Sequence, residues 1–300
     1  MITTETRRKL STPFDYKISK LNLPVYPASL YDPVRYTLAL GGKRLRYCLT
    51  VLSTGLCGGN PDRAISAAHA IELLHNFTLL HDDIMDGAET RRGKPSVYKK
   101  WGTSNAILSG DIMFVKAFEL LGEYRDHPKY AEILEIFIKS SKEVCEGQSF
   151  DMEFENRSNV SVDEYLNMIS GKTGALIKGA LLTGGAVANA TNSQMYDLES
   201  IGNEIGIAFQ IQDDLLDVIA DPLKFGKVNG RDIKDGKKTY LILLALQRCN
   251  PKEKIWLKHK LQNCPLSHID INKIAELFEK YAIIQSTQKK NKLPFQMRIR

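Results

Sequence analysis

Cysteine is scarce in this chain of 300 residues: Cys48, Cys57, Cys145, Cys249 and Cys264 are the whole set. An odd number with no C-x-x-C spacing suggests neither a disulfide framework nor a zinc site, and it favours a reducing compartment. Long apolar runs are missing too. No stretch of about 18 uncharged apolar residues occurs, so no membrane-spanning helix is expected. The opening "MITTETRRKLSTPFDYK" has no apolar core of signal-peptide length. These absences set the expectation of a soluble, cytoplasmic protein. Strand alternation with hairpin turns is lacking, as is the G-x-x-x-x-G-K-[ST] pattern of a P-loop, which argues against a nucleotide triphosphatase. Basic charge is not spread over the chain either. Of the formal net charge of +6, Lys289, Lys290, Lys292, Arg298 and Arg300 all lie in the final stretch. The remaining body is near neutral, and no clustered basic face points to nucleic acid.

What is present is helix. With 43% hydrophobic and 25% charged residues, the chain can bury a sizeable core. The segments "AISAAHAIELLHNFTLLHDDIMD", "YAEILEIFIKSSKEVCEGQSFDMEFE", "SVDEYLNMISGKTGALIKGALLTGGAVA" and "MYDLESIGNEIGIAFQIQDDLLDVIA" repeat apolar residues every three or four positions. The expected fold class is all-α, with several helices apolar around much of their circumference and therefore buried in a bundle. One domain is expected over residues 1–283, followed by a basic tail, 284–300, that is disordered or truncated. Loops are marked by "CGGNPD" (57–62), "TRRGKPS" (90–96), "DHP" (126–128) and "DPLKFGKVNGRDIKDGKK" (221–238).

Two acidic clusters carry the chemistry. Asp82, Asp83 and Asp86 form D-D-x-x-D near a helix end, and Asp213, Asp214 and Asp217 repeat the pattern. At about 100° per residue, Asp82 and Asp86 share a face, as do Asp213 and Asp217. A single acidic triplet reads equally well as a solvated helix end. Two copies inside otherwise apolar helices do not, because unpaired charge is costly there. Oxygen-only ligands suit Mg²⁺, which takes one or two carboxylates and completes its shell with water and phosphate oxygens. Facing acidic helices holding Mg²⁺ and a phosphorylated ligand are the simplest expectation.

Basic residues follow each cluster. Arg91 and Arg92 come after the first, Lys227 and Lys237 after the second, and "GGKRLR" (41–46) adds Lys43 and Arg46 behind two glycines that let backbone approach closely. Guanidinium and ammonium groups are natural phosphate donors. His75 lies about two turns before Asp82 and about 20° round the helix, which suits a phosphate hydrogen bond. A satisfied helical histidine is the plainer alternative. Asp111 in "SGD" and Gln210, close before Asp213, are further candidates whose plain reading is a cap or a local side-chain bond.

Taken in order, "GGKRLR", "LLHDDIMD" with "RRG", "GQSFDMEFE", "GKTGALI", "FQIQDDLLD" and "FGKVNGRD" with "GKKT" resemble the trans-isoprenyl diphosphate synthases across residues 38–283. The resemblance implies ten or more helices around a deep central cavity, usually in a homodimer. It implies the head-to-tail condensation of isopentenyl diphosphate with an allylic diphosphate. Asp82, Asp86 and Asp213 would ligate Mg²⁺, three ions in all, with Asp83, Asp214 and Asp217 in support. Arg91, Lys172, Lys227 and Lys237 would hold the allylic diphosphate, and Lys43, Arg46, His75 and Arg92 the isopentenyl diphosphate. Thr173 and Gln210 match positions near the reacting carbon chain. Released pyrophosphate is the expected general base, since no His or Glu in these motifs is an obvious candidate.

Chain length is read from the residues ahead of the first acidic motif. Phe77 at the fifth position before Asp82, Thr78 at the fourth, and no insertion inside D-D-I-M-D resemble synthases that stop at C20, with C15 close behind. An ideal helical wheel puts Phe77 well away from the aspartate face, so its role as cavity floor rests on the resemblance. Competing readings fit less well. A terpene cyclase or a squalene-type head-to-head synthase has no use for an intact "DDLLD" beside "GGKRLR", and a non-catalytic subunit of a heteromeric synthase typically loses one acidic motif. The polar, proline-interrupted end "QSTQKKNKLPFQMRIR" departs from the further carboxy-terminal helices of the family.

Overall fold

Helices α1 (Ala28–Ala39) and α2 (Leu45–Leu56) lead into the long α3 (Ile65–Met85) in a computed structural model that describes residues 23–219 and 231–296. The helices α4 (Val97–Trp101), α5 (Thr103–Leu121), α6 (Tyr130–Asn156), α7 (Val162–Ile169), α8 (Ala175–Val187) and α9 (Asn192–Ile219) follow. The described chain resumes with α10 (Arg231–Lys234) and continues through α11 (Tyr240–Arg248), α12 (Pro251–Leu261), α13 (His268–Lys280) and α14 (Ile283–Gln296). The all-α expectation with ten or more helices holds. Extended pairing among the described residues is confined to a hairpin in the expected 90–96 loop, Thr90–Arg91 against Lys94–Pro95.

One domain was the expectation; by packing, the described residues group into two compact units. The first comprises residues 23–141 and 176–201. Its spine is α3, whose residues from Ala67 to Leu74 are all buried. Against α3 lies α5, which presents Ala106, Ser109, Gly110, Met113 and Ala117 at three- and four-residue spacing. The small members let the two backbones close up: a methyl group at Gly110 would stand 2.5 Å from Nε2 of His81. Helix α8 meets α2 in the same way. Thr54 donates to the Gly184 carbonyl at 2.9 Å, and a Cβ on Gly184 would lie 2.1 Å from both Ser53 Oγ and the Thr50 oxygen.

The second unit comprises residues 142–175, 202–219 and 231–296. Its core contains α11, where Tyr240 through Ala245 are all buried, the sign of a helix enclosed on every side. Tyr165, Ile169, Ile211, Leu215, Leu257, Ile274 and Phe278 belong to the same cluster. A capping box starts α7: Ser161 accepts from the Glu164 N–H, and Glu164 accepts from the Ser161 N–H.

The second unit departs from expectation in two places. The segment expected as one helix over 161–188 is interrupted by a wide π turn at Ser170–Gly174. The end expected to be an unstructured tail is helical through Gln296. Its Lys- and Gln-rich composition hides a stripe. Ile283 and Thr287 are fully buried one turn apart, Asn291 donates to Gln212 at 2.7 Å, and Arg248 donates to Ser286 at 2.7 Å.

Gly184→Ala should lower unfolding free energy by about 1–3 kcal/mol, because overlap with Ser53 and Thr50 outweighs alanine's better helix propensity. Urea denaturation checks this, and an unchanged or raised midpoint would show that α2 and α8 can separate at no cost.

Candidate active site

In the first unit the acidic motif ends α3. Asp82 is partly exposed and Asp86, the C-cap residue, is exposed, whereas Asp83 points inward at 3% exposure. A rotation of about 100° between neighbours accounts for the split. The Asp83 carboxylate receives Arg91 Nε at 2.9 Å and also Arg91 Nη2. Asp83, expected to support the metal, is paired here with Arg91, which the 90–95 hairpin returns to the helix end.

The other basic residues gather nearby. Arg46 Nη1 is 3.1 Å from His75 Nε2, and Arg92, in the left-handed region at φ 53°, donates to the Gly41 carbonyl. Gly42 has φ 141°, a conformation that side-chain-bearing residues rarely adopt, and a Cβ there would displace the Arg92 guanidinium, 2.8 Å away. Lys43 is exposed. Burial, and then the charges of Arg46, Arg92, Arg91 and Arg44, hold the His75 pKa well below its ordinary value. His75 is therefore a neutral imidazole at pH 7, within the field of four guanidinium groups. Such a field suits an anion.

Arg44 had no expected role. It is buried, pairs with buried Glu72 at 3.3 Å, and donates to the Leu38 carbonyl at 2.7 Å, which pins the "GGKRLR" turn to α3. Nothing in the local sequence signals this pair, whose members are 28 positions apart.

Phe77 lies away from the aspartates and stacks on Phe114 of α5, with ring centroids 5.3 Å apart. Phe114 and Phe118 in turn pack on Phe137. Thr78 donates to the His75 carbonyl at 2.9 Å, a bond within its own helix. Asp111 is mainly exposed and stands 3.8 Å from His81 Nε2.

The second unit repeats the division within its acidic motif. Asp213 is exposed and Asp217 partly so, while Asp214 is 3% exposed. Asp214 Oδ2 accepts Tyr165 O–H at 2.6 Å and Tyr240 N–H at 3.0 Å, and Oδ1 accepts Gln210 Nε2 at 3.1 Å. Burial raises the Asp214 pKa, against the lowering effect of these bonds. Asp217 accepts the N–H of Asp232 at the start of α10, at 3.0 Å.

Lys172 and Thr173 sit on the π turn, which close contacts hem in. A Cβ at Gly147 of α6 would lie 2.1 Å from the Lys172 nitrogen, and one at Gly206 of α9 would lie 2.4 Å from Gly174 Cα. Lys172 Nζ pairs with Asp151 at 2.5 Å, and Thr173 Oγ1 donates to Gln210 Oε1 at 2.8 Å. Asp151 belongs to the quoted "GQSFDMEFE" motif, so a signal for it existed. Lys237 donates its backbone N–H to Asp232 at 2.8 Å, and its neighbour Lys238 donates to the carbonyls of Phe154 and Glu155 at the end of α6. Lys227 lies outside the described residues.

Comparison with known proteins adds a second line. Residues 27–278 match the polyprenyl synthetase family. A short chain isoprenyl diphosphate synthase of Methanocaldococcus jannaschii is 42% identical over 250 residues, 83% of this chain and 76% of that one. A geranylgeranyl diphosphate synthase of Saccharolobus solfataricus is 42% identical over 246 residues, 81% of this chain and 74% of its own. The solved geranylgeranyl pyrophosphate synthetase of Pyrococcus horikoshii superposes with a TM-score of 0.88 at 41% identity, covering 95% of this chain and 87% of that one.

Arg91→Met should cost about 2–3 kcal/mol of stability, because it leaves the Asp83 charge buried without its guanidinium. The exposed Lys43→Met should cost under about 0.5 kcal/mol. Equal denaturation midpoints for the two variants would show that Asp83 does not depend on Arg91.

Proposed function

The chain belongs to the polyprenyl synthetase family, and on that premise we propose that it joins isopentenyl diphosphate head to tail to an allylic diphosphate. The product is a short-chain (E)-prenyl diphosphate, chiefly geranylgeranyl diphosphate. The observation that carries this reading is the grouping of Arg44, Arg46, Arg91 and Arg92 around a neutral His75, on a helix that ends with the partly exposed Asp82 and the exposed Asp86. A diphosphate with its counter-ions answers both needs.

The donor set fits Mg²⁺. Asp82, Asp86 and Asp213 offer only hard carboxylate oxygens, and among the described residues no group of three or more His, Cys, Asp or Glu side chains forms a cage. An ion held by few protein oxygens, with water and phosphate completing its shell, is the habit of Mg²⁺. When bound, Mg²⁺ neutralises charge growing on the departing pyrophosphate; the family likeness implies three ions. Asp83 and Asp214 act in this reading by positioning Arg91 and Gln210.

Arg91, Lys172, Lys227 and Lys237 bind the allylic diphosphate, and Lys43, Arg46, His75 and Arg92 bind isopentenyl diphosphate. The allylic C–O bond breaks with its electron pair leaving on pyrophosphate. The isopentenyl double bond attacks the resulting carbocation to form the new C–C bond. A proton then passes to the released pyrophosphate and restores an allylic double bond. The Thr173 and Gln210 oxygens face the positive charge of these steps.

Product length is assigned to Phe77, braced by Phe114 and, through it, by Phe118 and Phe137. Exposed Ile107, Leu108, Val115 and Phe118 on α5 support a homodimer. The five free cysteines accord with the reducing cytoplasm, and none of the described helices is long and apolar enough to cross a membrane.

Purified protein given Mg²⁺, labelled isopentenyl diphosphate and a C5, C10 or C15 allylic diphosphate should yield C20 after dephosphorylation. A folded protein that extends no primer would sink the reading, and a C15 end product would move the length assignment. Phe77→Ala should shift the products beyond C20; an unchanged length would place the floor elsewhere.

A further inference from the structure

Tyr165 lies seven positions before Lys172 in the chain, is 2% exposed, and has no part in the chemistry described so far. The geometry points to it as a positioning residue that sets the polarity of the Thr173 hydroxyl through Asp214 and Gln210. This inference rests on the prenyl transfer proposed above.

The direction of each bond follows from what each group can donate. Asp214 Oδ2 accepts the Tyr165 O–H at 2.6 Å and the Tyr240 N–H at 3.0 Å, which locks the carboxylate plane from two sides. Its Oδ1 then lies 3.1 Å from the Gln210 amide, and a carboxylate in that role can only accept, so Nε2 must point toward it. That choice turns Gln210 Oε1 toward Thr173 at 2.8 Å. Oε1 carries no hydrogen, so the Thr173 hydroxyl spends its proton there and keeps its lone pairs for whatever approaches from the other side.

The opposite amide orientation would reverse the outcome. The NH₂ group would occupy a lone pair of Thr173, and the hydroxyl would aim its positive end outward. An oxygen with free lone pairs stabilises a carbocation, whereas an outward O–H repels it. The buried carboxylate therefore fixes the sign of a dipole two bonds away, and Tyr165 holds that carboxylate. Enclosed as it is, Tyr165 cannot touch substrate itself.

The experiment is a double-mutant cycle in the full-length enzyme with Mg²⁺, using Tyr165→Phe, Thr173→Ala and the pair, with kcat and KM measured separately. Asp214→Asn, whose amide can donate to Gln210 and so reverse it, is the second arm should Tyr165→Phe not fold. Tyr165→Phe should lower kcat about tenfold, the scale of one hydrogen bond to a charged group, while KM for both substrates stays within about twofold. In the Thr173→Ala background the same change should lower kcat by less than about twofold, because the hydroxyl it acts through is gone. An active wild type in which the two losses multiply, or in which Tyr165→Phe raises KM and spares kcat, overturns this inference alone. A wild type that extends no primer overturns both this inference and the reading beneath it.

Discussion

A carboxylate enclosed in a helical protein has to be reached by donors, because an uncompensated buried charge costs several kcal/mol. Much of the candidate site follows from that constraint. Glu72, Asp83 and Asp214 are each no more than 3% exposed, and each is answered from a different segment. Arg44 comes from the turn before α2, Arg91 from the hairpin after α3, and Tyr165 with the Tyr240 N–H from α7 and α11. These partners are the pieces that bring the basic and polar residues into place. Arg44 ties down the turn that carries Lys43 and leads into Arg46 at the start of α2, and Asp83 fixes the first of two adjacent arginines. The buried acids thus organise the structure around the acidic motifs.

Glycine imposes the complementary constraint, which is distance. At Gly147 and Gly206 no side chain would fit, so α6 and α9 approach the segment carrying Lys172 and Thr173 at backbone contact. That segment winds as a π turn, a local widening frequent at functional sites. Lys172 consequently meets Asp151 on α6 while Thr173 meets Gln210 on α9. Adjacent residues on an ordinary helix already point about 100° apart. The close packing turns that divergence into two separate bonds, one ionic and one neutral.

Much of this was legible in the sequence and some was not. The periodicity of "AISAAHAIELLHNFTLLHDDIMD" places a helix over 64–86, and α3 runs from Ile65 to Met85. The wheel that puts Asp82 and Asp86 on one face also separates Asp83, so its burial was within reach of the same arithmetic. Which side faces the core depends on packing that no local pattern records. Phe77 turns away from the aspartates as the wheel requires, but its partner Phe114 is distant along the chain and emerges only when α5 lies on α3. The carboxy-terminal helix was hidden for another reason. Composition suggested a solvated tail, although the buried turn-spaced pair Ile283 and Thr287 docks it together with the Asn291–Gln212 and Arg248–Ser286 bonds.

The residues that escaped prediction share a property. Arg44, Glu72, Asp151, Tyr165 and Lys238 all bond to other side chains or to backbone carbonyls, and each finds its partner well outside its own helical turn. A motif records groups that must meet a substrate, because the substrate fixes their spacing. Groups that hold those residues in place can come from any segment the fold brings near, so even where they sit inside a motif, as Arg44, Asp151 and Lys238 do, the motif does not name their partners. Asp214 shows how closely the two kinds are joined. It stands inside a recognisable acidic motif, yet it accepts from Tyr165, Tyr240 and Gln210 and is nearly enclosed. Within each D-D-x-x-D the structure separates a buried, hydrogen-bonded aspartate from its more exposed neighbours. The inward carboxylates meet donors the chain supplies for itself, and the outward ones stand nearer solvent.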